Sequence, residues 1–166
     1  LEHMSIRPEE ARQNFLNTID WLKDKACTRK GGLGTLMPWD KTWIIETLSD
    51  STIYMAYYTI ARIINETKIS AEKLTDGIFD YVFLGSGDIK QLSKDTKLSV
   101  KIIDEMKSEF EYFYPVDLRN SGKDLIQNHL TFYLFHHTAI WPEEFWPKSI
   151  GVNGFVNVEG EKMSKS

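Results

Sequence analysis

The chain has 166 residues, 42% hydrophobic and 13% aromatic, which is enough for one domain with a substantial core. Its net charge of -4 lacks the basic excess of a self-sufficient nucleic-acid binder. One cysteine, Cys27, builds neither a disulfide framework nor a Cys-rich zinc site and fits a reducing cytosol; no apolar run is long enough to cross a membrane and no secretory signal is present.

Leu1-Glu2-His3-Met4 resembles a tag scar and is set aside from the fold. Pro8-Glu9-Glu10 opens a helix, with proline in the first turn and two carboxylates facing the helix dipole. Phe15, Leu16, Ile19 and Leu22 follow at helical spacing. Gly31-Gly32-Leu33-Gly34 ends that region as an irregular loop ahead of Pro38-Trp39. From Thr42 to Asn65 the chain is rich in Ile and Tyr. That predicts a buried helix through Tyr57 and Ile64, with Ser49 and Asp50 as candidate caps. Residues 70–112 predict short amphipathic helices broken at Gly85-Ser86-Gly87. Ser99 ahead of Val100, Ile102, Ile103, Met106 and Phe110 marks a surface helix with one apolar stripe.

The last third predicts a βαβ unit. Residues 116–120 form a short strand and Ser121-Gly122 turns the chain. Asp124 to about Ile140 is a helix carrying Leu125, His129, Phe132 and His136 on one face, ended by Trp141-Pro142. Residues 149–154 form a second strand, and Phe155 to Val158 continue extended. A strand, helix and strand at this spacing favour a parallel pair with a right-handed crossover. Ligands of such sheets sit beyond the carboxyl ends of the strands, where Gly122, Gly154 and the terminal lysines fall.

Chemistry concentrates at that end. Lys162-Met163-Ser164-Lys165-Ser166 follows a turn at Glu159-Gly160-Glu161. Two ammonium groups on a loop can follow phosphate oxygens as charge builds on them, although for so short a motif taken alone a solvated tail is the default reading. Ser121-Gly122-Lys123-Asp124 joins a strand to a helix start, where glycine admits a ligand to the backbone and an acid can accept from ribose hydroxyls. On spacing alone, Asp124 as a simple cap stands first. Val152-Asn153-Gly154 ends a strand whose backbone can meet an adenine edge, or is an ordinary strand end. Leu48, Ser51 and Tyr54 share a helical side, as pocket wall or as one more core stripe, and His129 is a pocket or a core histidine. His136 and His137 have no carboxylate or cysteine at metal-ligand spacing and are read as structural, so no protein-bound metal is expected.

Four stretches, FLNTIDWLKDKACTRKGGLGT, IIETLSDSTIYMAYYTIARI, YPVDLRNSGKDLIQNHLTFYLF and VNGFVNVEGEKMSKS, together resemble the archaeal and eukaryotic cytosolic-type leucyl-tRNA synthetases, which are class I aminoacyl-tRNA synthetases. The resemblance implies an α/β fold: the C-terminal half of a Rossmann-like nucleotide-binding domain with parallel strands and a substantial helical insertion. Residues 5–69 would hold the return segment and leucine-pocket helix, 70–112 the insertion, and 113–166 the βαβ unit with its lysine loop. It implies that the parent activates leucine with ATP, carried with Mg²⁺, and transfers leucine to tRNA(Leu) in the cytoplasm. Lys162 and Lys165 would hold the triphosphate, with Met163 and Ser164 in the same ATP loop. Gly122 and Asp124 match ribose positions, Val152, Asn153 and Gly154 the adenine side, and Leu48, Ser51, Tyr54 and His129 the leucine pocket.

The HIGH motif of that family does not occur in this chain, nor do its editing and tRNA-binding domains. We therefore expect the chain to be cut from a longer protein, to be inert alone, and to rely on an N-terminal half of the catalytic domain. Two other readings remain open: a stand-alone nucleotide-binding module, and an interaction domain with a relic site and the 70–112 helices as its working surface.

Overall fold

A computed structural model of the chain describes residues 1–22, 27–155 and 157–162, with Lys162 described by its backbone only. The elements run β1 (Ser5–Arg7), α1 (Ala11–Leu22), β2 (Thr28–Arg29), β3 (Ile44–Ile45), α2 (Thr47–Glu66), α3 (Asp76–Leu84), α4 (Ile89–Thr96), α5 (Val100–Phe113), β4 (Arg119–Gly122), α6 (Thr131–Ile140), β5 (Ser149–Asn153), β6 (Asn157–Val158) and β7 (Glu161–Lys162). The fold is mixed α/β, and its sheet is parallel, in the order β1-β5-β4.

The parallel pair expected from the sequence is β4 against β5, from Arg119 opposite Ile150 to Gly122 opposite Asn153. The third strand, β1, was not foreseen. Its three residues carry one apolar side chain, Ile6, so no alternation announces it. β5 recruits it: Ser5 N–H donates to the Lys148 carbonyl at 3.0 Å, and Ile6 lies in register with Ile150. Both isoleucines are fully buried, and Phe15, Ile126, Leu130 and Tyr133 close around them.

The first four residues take part in this packing, contrary to their being set aside. Leu1 and Met4 pack against that cluster, and the Arg12 guanidinium donates to the Leu1 carbonyl at 2.6 Å and to the Met4 carbonyl at 3.0 Å. A second cluster joins Ile60 and Ile63 of α2, Ile78 and Val82 of α3, and Ile103, Met106 and Phe110 of α5 to Tyr114 and Trp141. Of the stripe read in α5, Ile103, Met106 and Phe110 form the buried face, Ile102 is half-buried and Val100 is exposed; the cap is as expected, with Ile102 N–H donating to Ser99 Oγ at 3.3 Å. Gly85 ends α3 in the left-handed conformation, at φ 68°.

Several boundaries differ from expectation. The 116–120 strand is displaced to Arg119–Gly122, so Ser121 and Gly122 are ladder residues and not a turn. Ahead of Arg119 the two segments are joined irregularly: Lys148 N–H donates to the Val116 carbonyl at 2.9 Å, but the Asp117 carbonyl accepts from the Ser149 side-chain hydroxyl and not from a backbone N–H, so regular pairing starts later. The helix expected from Asp124 is a 3₁₀ turn at Lys123–Leu125, a π turn at Ile126–Leu130 and only then α6. Buried Thr131 donates its hydroxyl to the Ile126 carbonyl at 2.5 Å, five residues back, a span that matches the wide turn. Helix α1 starts at Ala11 and buries Ala11, Phe15, Thr18 and Leu22, while Leu16 stays 41% exposed because it falls beside that stripe.

Helix α2 is half-buried rather than buried. Thr52, Ala56, Ile60, Ile63 and Ile64 face its neighbours, and Tyr57 and Tyr58 face outward at 40% and 65% exposure. Glu46 occupies its cap position, so Ser49 and Asp50 lie inside the first turn. Strand β5 stops at Asn153, and the extended run beyond it becomes a β6–β7 hairpin. Glu159 and Gly160 make the two-residue turn, both with positive φ, at 51° and 86°.

Candidate functional site

The register of the parallel pair places the ribose-side and adenine-side candidates together. Gly122 ends β4 directly opposite Asn153 at the end of β5, and Ser121 lies opposite Val152. Asn120 Nδ2 donates across the strands to Asn153 Oδ1 at 3.4 Å, and Asn153 Nδ2 donates to the Gly154 carbonyl at 2.8 Å. Asp124 sits in the 3₁₀ turn that leaves β4 and folds back over it: a Cβ added at Gly122 would lie 2.6 Å from Asp124 Oδ1. Gly122 has ordinary extended backbone, at φ -71°, so room for this carboxylate, not backbone freedom, is what the glycine supplies. Asp124, Asn153 and Gly154 are exposed, open to a ligand above the strand ends. Lys123 Nζ rests 4.7 Å from the centre of the Phe155 ring beside them.

The wide turn after Asp124 carries His129 toward α2. Ser51 Oγ lies 3.4 Å from His129 Nδ1, and Arg119 Nη2 lies 3.1 Å from His129 Nε2. Burial first, and then the neighbouring Arg119 charge, hold the His129 pKa below the ordinary imidazole value. Sequence reading missed Arg119 altogether: an arginine at a strand start carries no local signal of a contact ten residues away.

The pocket candidates do not all meet. Ser51 and His129 come together, and half-buried Leu48 offers its carbonyl to the Ser51 hydroxyl at 3.5 Å. Tyr54 is 43% exposed, sets its ring edge-on to Tyr58 at 5.0 Å, and lines a hollow of about 350 Å³ with Phe79, Phe83 and Trp141, away from Ser51 and His129. His136 takes Thr52 Oγ1 at 2.7 Å. His137 is fully buried, its Nδ1 2.9 Å from the Tyr133 carbonyl and its Nε2 3.3 Å from Tyr114 Oη.

Lys162 enters β7 opposite Asn157, and its side chain, with Met163, Ser164 and Lys165, lies outside the described residues. An apolar cavity of about 430 Å³ opens between Leu1, Met4, Ile19, Leu134 and Trp146. Met4 and Lys148 directly precede β1 and β5, so this cavity lies at the amino ends of the strands, opposite the candidate site. Among the described residues no group of three or more His, Cys, Asp or Glu side chains is placed to hold a metal, and no helix is long and apolar enough to cross a membrane.

With this geometry in hand, similarity to known proteins is decisive. The chain is 57% identical over all 166 residues to a leucine–tRNA ligase of Archaeoglobus fulgidus and 58% identical to one of Methanosarcina barkeri. This chain is homologous to part of the archaeal leucine–tRNA ligases. A Methanocaldococcus jannaschii leucine–tRNA ligase matches at 57%, again over the whole chain. The chain spans 17–18% of the length of these curated ligases. No family model matches the chain. The ligase match runs through the four stretches that carry the resemblance and through residues 1–4 as well.

Proposed function

We propose that this chain is the nucleotide- and leucine-binding part of a leucine–tRNA ligase, whose whole protein joins leucine to tRNA(Leu) in the cytoplasm. The observation that carries the reading is the identity of 57–58% to archaeal leucine–tRNA ligases along the entire chain. The strand-end geometry supports it, because Gly122, Asp124, Val152 and Asn153 cluster at the carboxyl ends of two parallel strands, where α/β sheets bind nucleotides. The parallel sheet is then the C-terminal half of a class I synthetase Rossmann-like domain.

In this mechanism the leucine carboxylate attacks the α-phosphate of ATP, forming leucyl-adenylate and releasing pyrophosphate; the leucyl group then passes to a hydroxyl of the terminal adenosine of tRNA. Catalysis of the first step is positioning plus charge stabilisation. Asp124 accepts from the ribose hydroxyls, and the backbone of Val152, Asn153 and Gly154 meets the adenine. Lys162 and Lys165, with Met163 and Ser164 between them, follow the phosphates, and Mg²⁺ enters with ATP. Ser51, His129 and Leu48 border the leucine, and Tyr54, turned to a separate hollow, is left out of that border. A branched aliphatic side chain offers only about 1–3 kcal/mol of discrimination per methylene.

The test is leucine-dependent ATP–pyrophosphate exchange by the full-length protein that contains this segment, beside the 166-residue chain alone. Exchange by the full-length protein and none by the chain is expected. A full-length protein that exchanges with another aliphatic amino acid but not with leucine overturns the reading.

A further inference from the structure

We propose that Arg119 is a positioning residue that sets the tautomer of His129 and, through it, leaves the Ser51 hydroxyl proton free for the ligand. The N–H groups of a guanidinium only donate, and it keeps its charge. Arg119 Nη2 lies 3.1 Å from His129 Nε2, so that nitrogen must present its lone pair. A neutral imidazole has a single N–H, which therefore sits on Nδ1 and points at Ser51 Oγ, 3.4 Å away. The other tautomer would press N–H against N–H at the Arg119 contact. A doubly protonated ring would add a cation beside a cation, so the neutral form is the one this geometry accepts.

Ser51 then accepts from His129, and its own proton has only the Leu48 carbonyl at 3.5 Å within the protein, at the weak limit of a hydrogen bond. The hydroxyl consequently offers a proton to an acceptor on a ligand. Among the described residues Arg119 has no carboxylate partner, and its buried Nε has no hydrogen-bond partner, so no anion draws the guanidinium away from the ring. His136 supplies an internal contrast. Its Nδ1 meets Thr52 Oγ1 at 2.7 Å, and that hydroxyl can give its proton either to the ring or to the Ser49 carbonyl at 3.1 Å, so no obligate donor like a guanidinium meets the ring.

The tautomer follows from this chain alone, whereas its use in leucine recognition rests on the function proposed above, so the test has two arms. In the first, long-range ¹⁵N–¹H NMR of the ¹⁵N-histidine-labelled chain reads both ring nitrogens of His129 in the wild type, Arg119→Lys and Arg119→Met. The expected result is a proton on Nδ1 in the wild type and in Arg119→Lys, and a shift toward the Nε2–H form in Arg119→Met. An Nε2–H wild-type ring, or a ring unchanged in a folded Arg119→Met, overturns the proposal; should that variant fail to fold, the wild-type and Arg119→Lys spectra decide. In the second arm, the KM for leucine in the full-length protein rises on the order of tenfold in Arg119→Met, with kcat changed less and Arg119→Lys nearer wild type. An Nδ1–H ring with an unmoved KM overturns the positioning role. A wild-type protein that never responds to leucine instead rejects the proposed function and leaves the tautomer assignment intact.

Discussion

The indole Nε1 of Trp141 donates to the carbonyl oxygen of Phe83 at 2.9 Å. Phe83 lies in the last turn of α3 and Trp141 directly follows α6, so this bond joins the 70–112 helices to the far end of the helix that begins beneath the candidate site. The Phe110 ring packs between them, 5.1 Å from Phe83 and 6.0 Å from Trp141. The helices that showed no catalytic residues in the sequence thus share a hydrophobic core with Trp141, which directly follows the site's supporting helix.

That core gives a stability prediction. Phe110→Ala removes a ring that also contacts Tyr114 and Phe145, and should destabilise the chain by about 3–5 kcal/mol through lost burial and a cavity. Urea unfolding of the purified variant measures it, and a loss under about 1 kcal/mol would show that the cluster re-packs.

Gly122→Ala tests the strand-end geometry separately from folding. The new methyl meets the Asp124 carboxylate 2.6 Å away, and that side chain is exposed and able to swing aside. Stability should therefore change by less than about 1 kcal/mol. The displaced carboxylate should raise the KM for ATP in the full-length protein by roughly tenfold, the loss of one good hydrogen-bonded contact. Exchange kinetics with unaltered ATP dependence would detach Asp124 from ribose binding.

His137 makes the fold sensitive to acid. Burial depresses its pKa from 6.5 to about 4, and Tyr114, Tyr133, His136 and Trp141 surround the ring. The unfolded chain takes up a proton near pH 6.5 and the folded one only near pH 4, so the unfolded state binds more protons between those values. Stability is complete above about pH 6.5 and drains away as pH falls toward 4, by about 3 kcal/mol from this residue. His129 and His136, both shifted down chiefly by burial, act in the same direction. Denaturation midpoints at pH 7.5 and 4.5 should show the drop, and His137→Gln should flatten it. A slope identical in that variant would assign the acid sensitivity elsewhere.

The terminal lysines should matter in the transition state more than in the ground state. Lys162→Ala or Lys165→Ala in the full-length protein should lower kcat for leucine-dependent exchange by about a hundredfold, with ATP affinity changed much less. Equal losses in kcat and in ATP binding would mean that the loop merely holds nucleotide.

What the sequence determined by itself was local, or was carried by long matching strings. Ile103, Met106 and Phe110 at helical spacing behind Ser99 made α5 legible, because helix periodicity and capping are decided within a few residues. The strands around residues 120 and 150 and their parallel pairing were legible from the helix between them, and the four family-like stretches pointed to the ligases matched along the whole chain. Tertiary structure decided the rest. Residue spacing could not reveal that β1 completes the sheet, since one isoleucine between two polar residues becomes a strand only when β5 offers it a ladder. Nor could it place Arg119 on His129 or His129 on Ser51, a pair 78 positions apart, because a side-chain contact between distant segments is set by how α2 packs against the π turn after β4 and leaves no periodic trace along the chain.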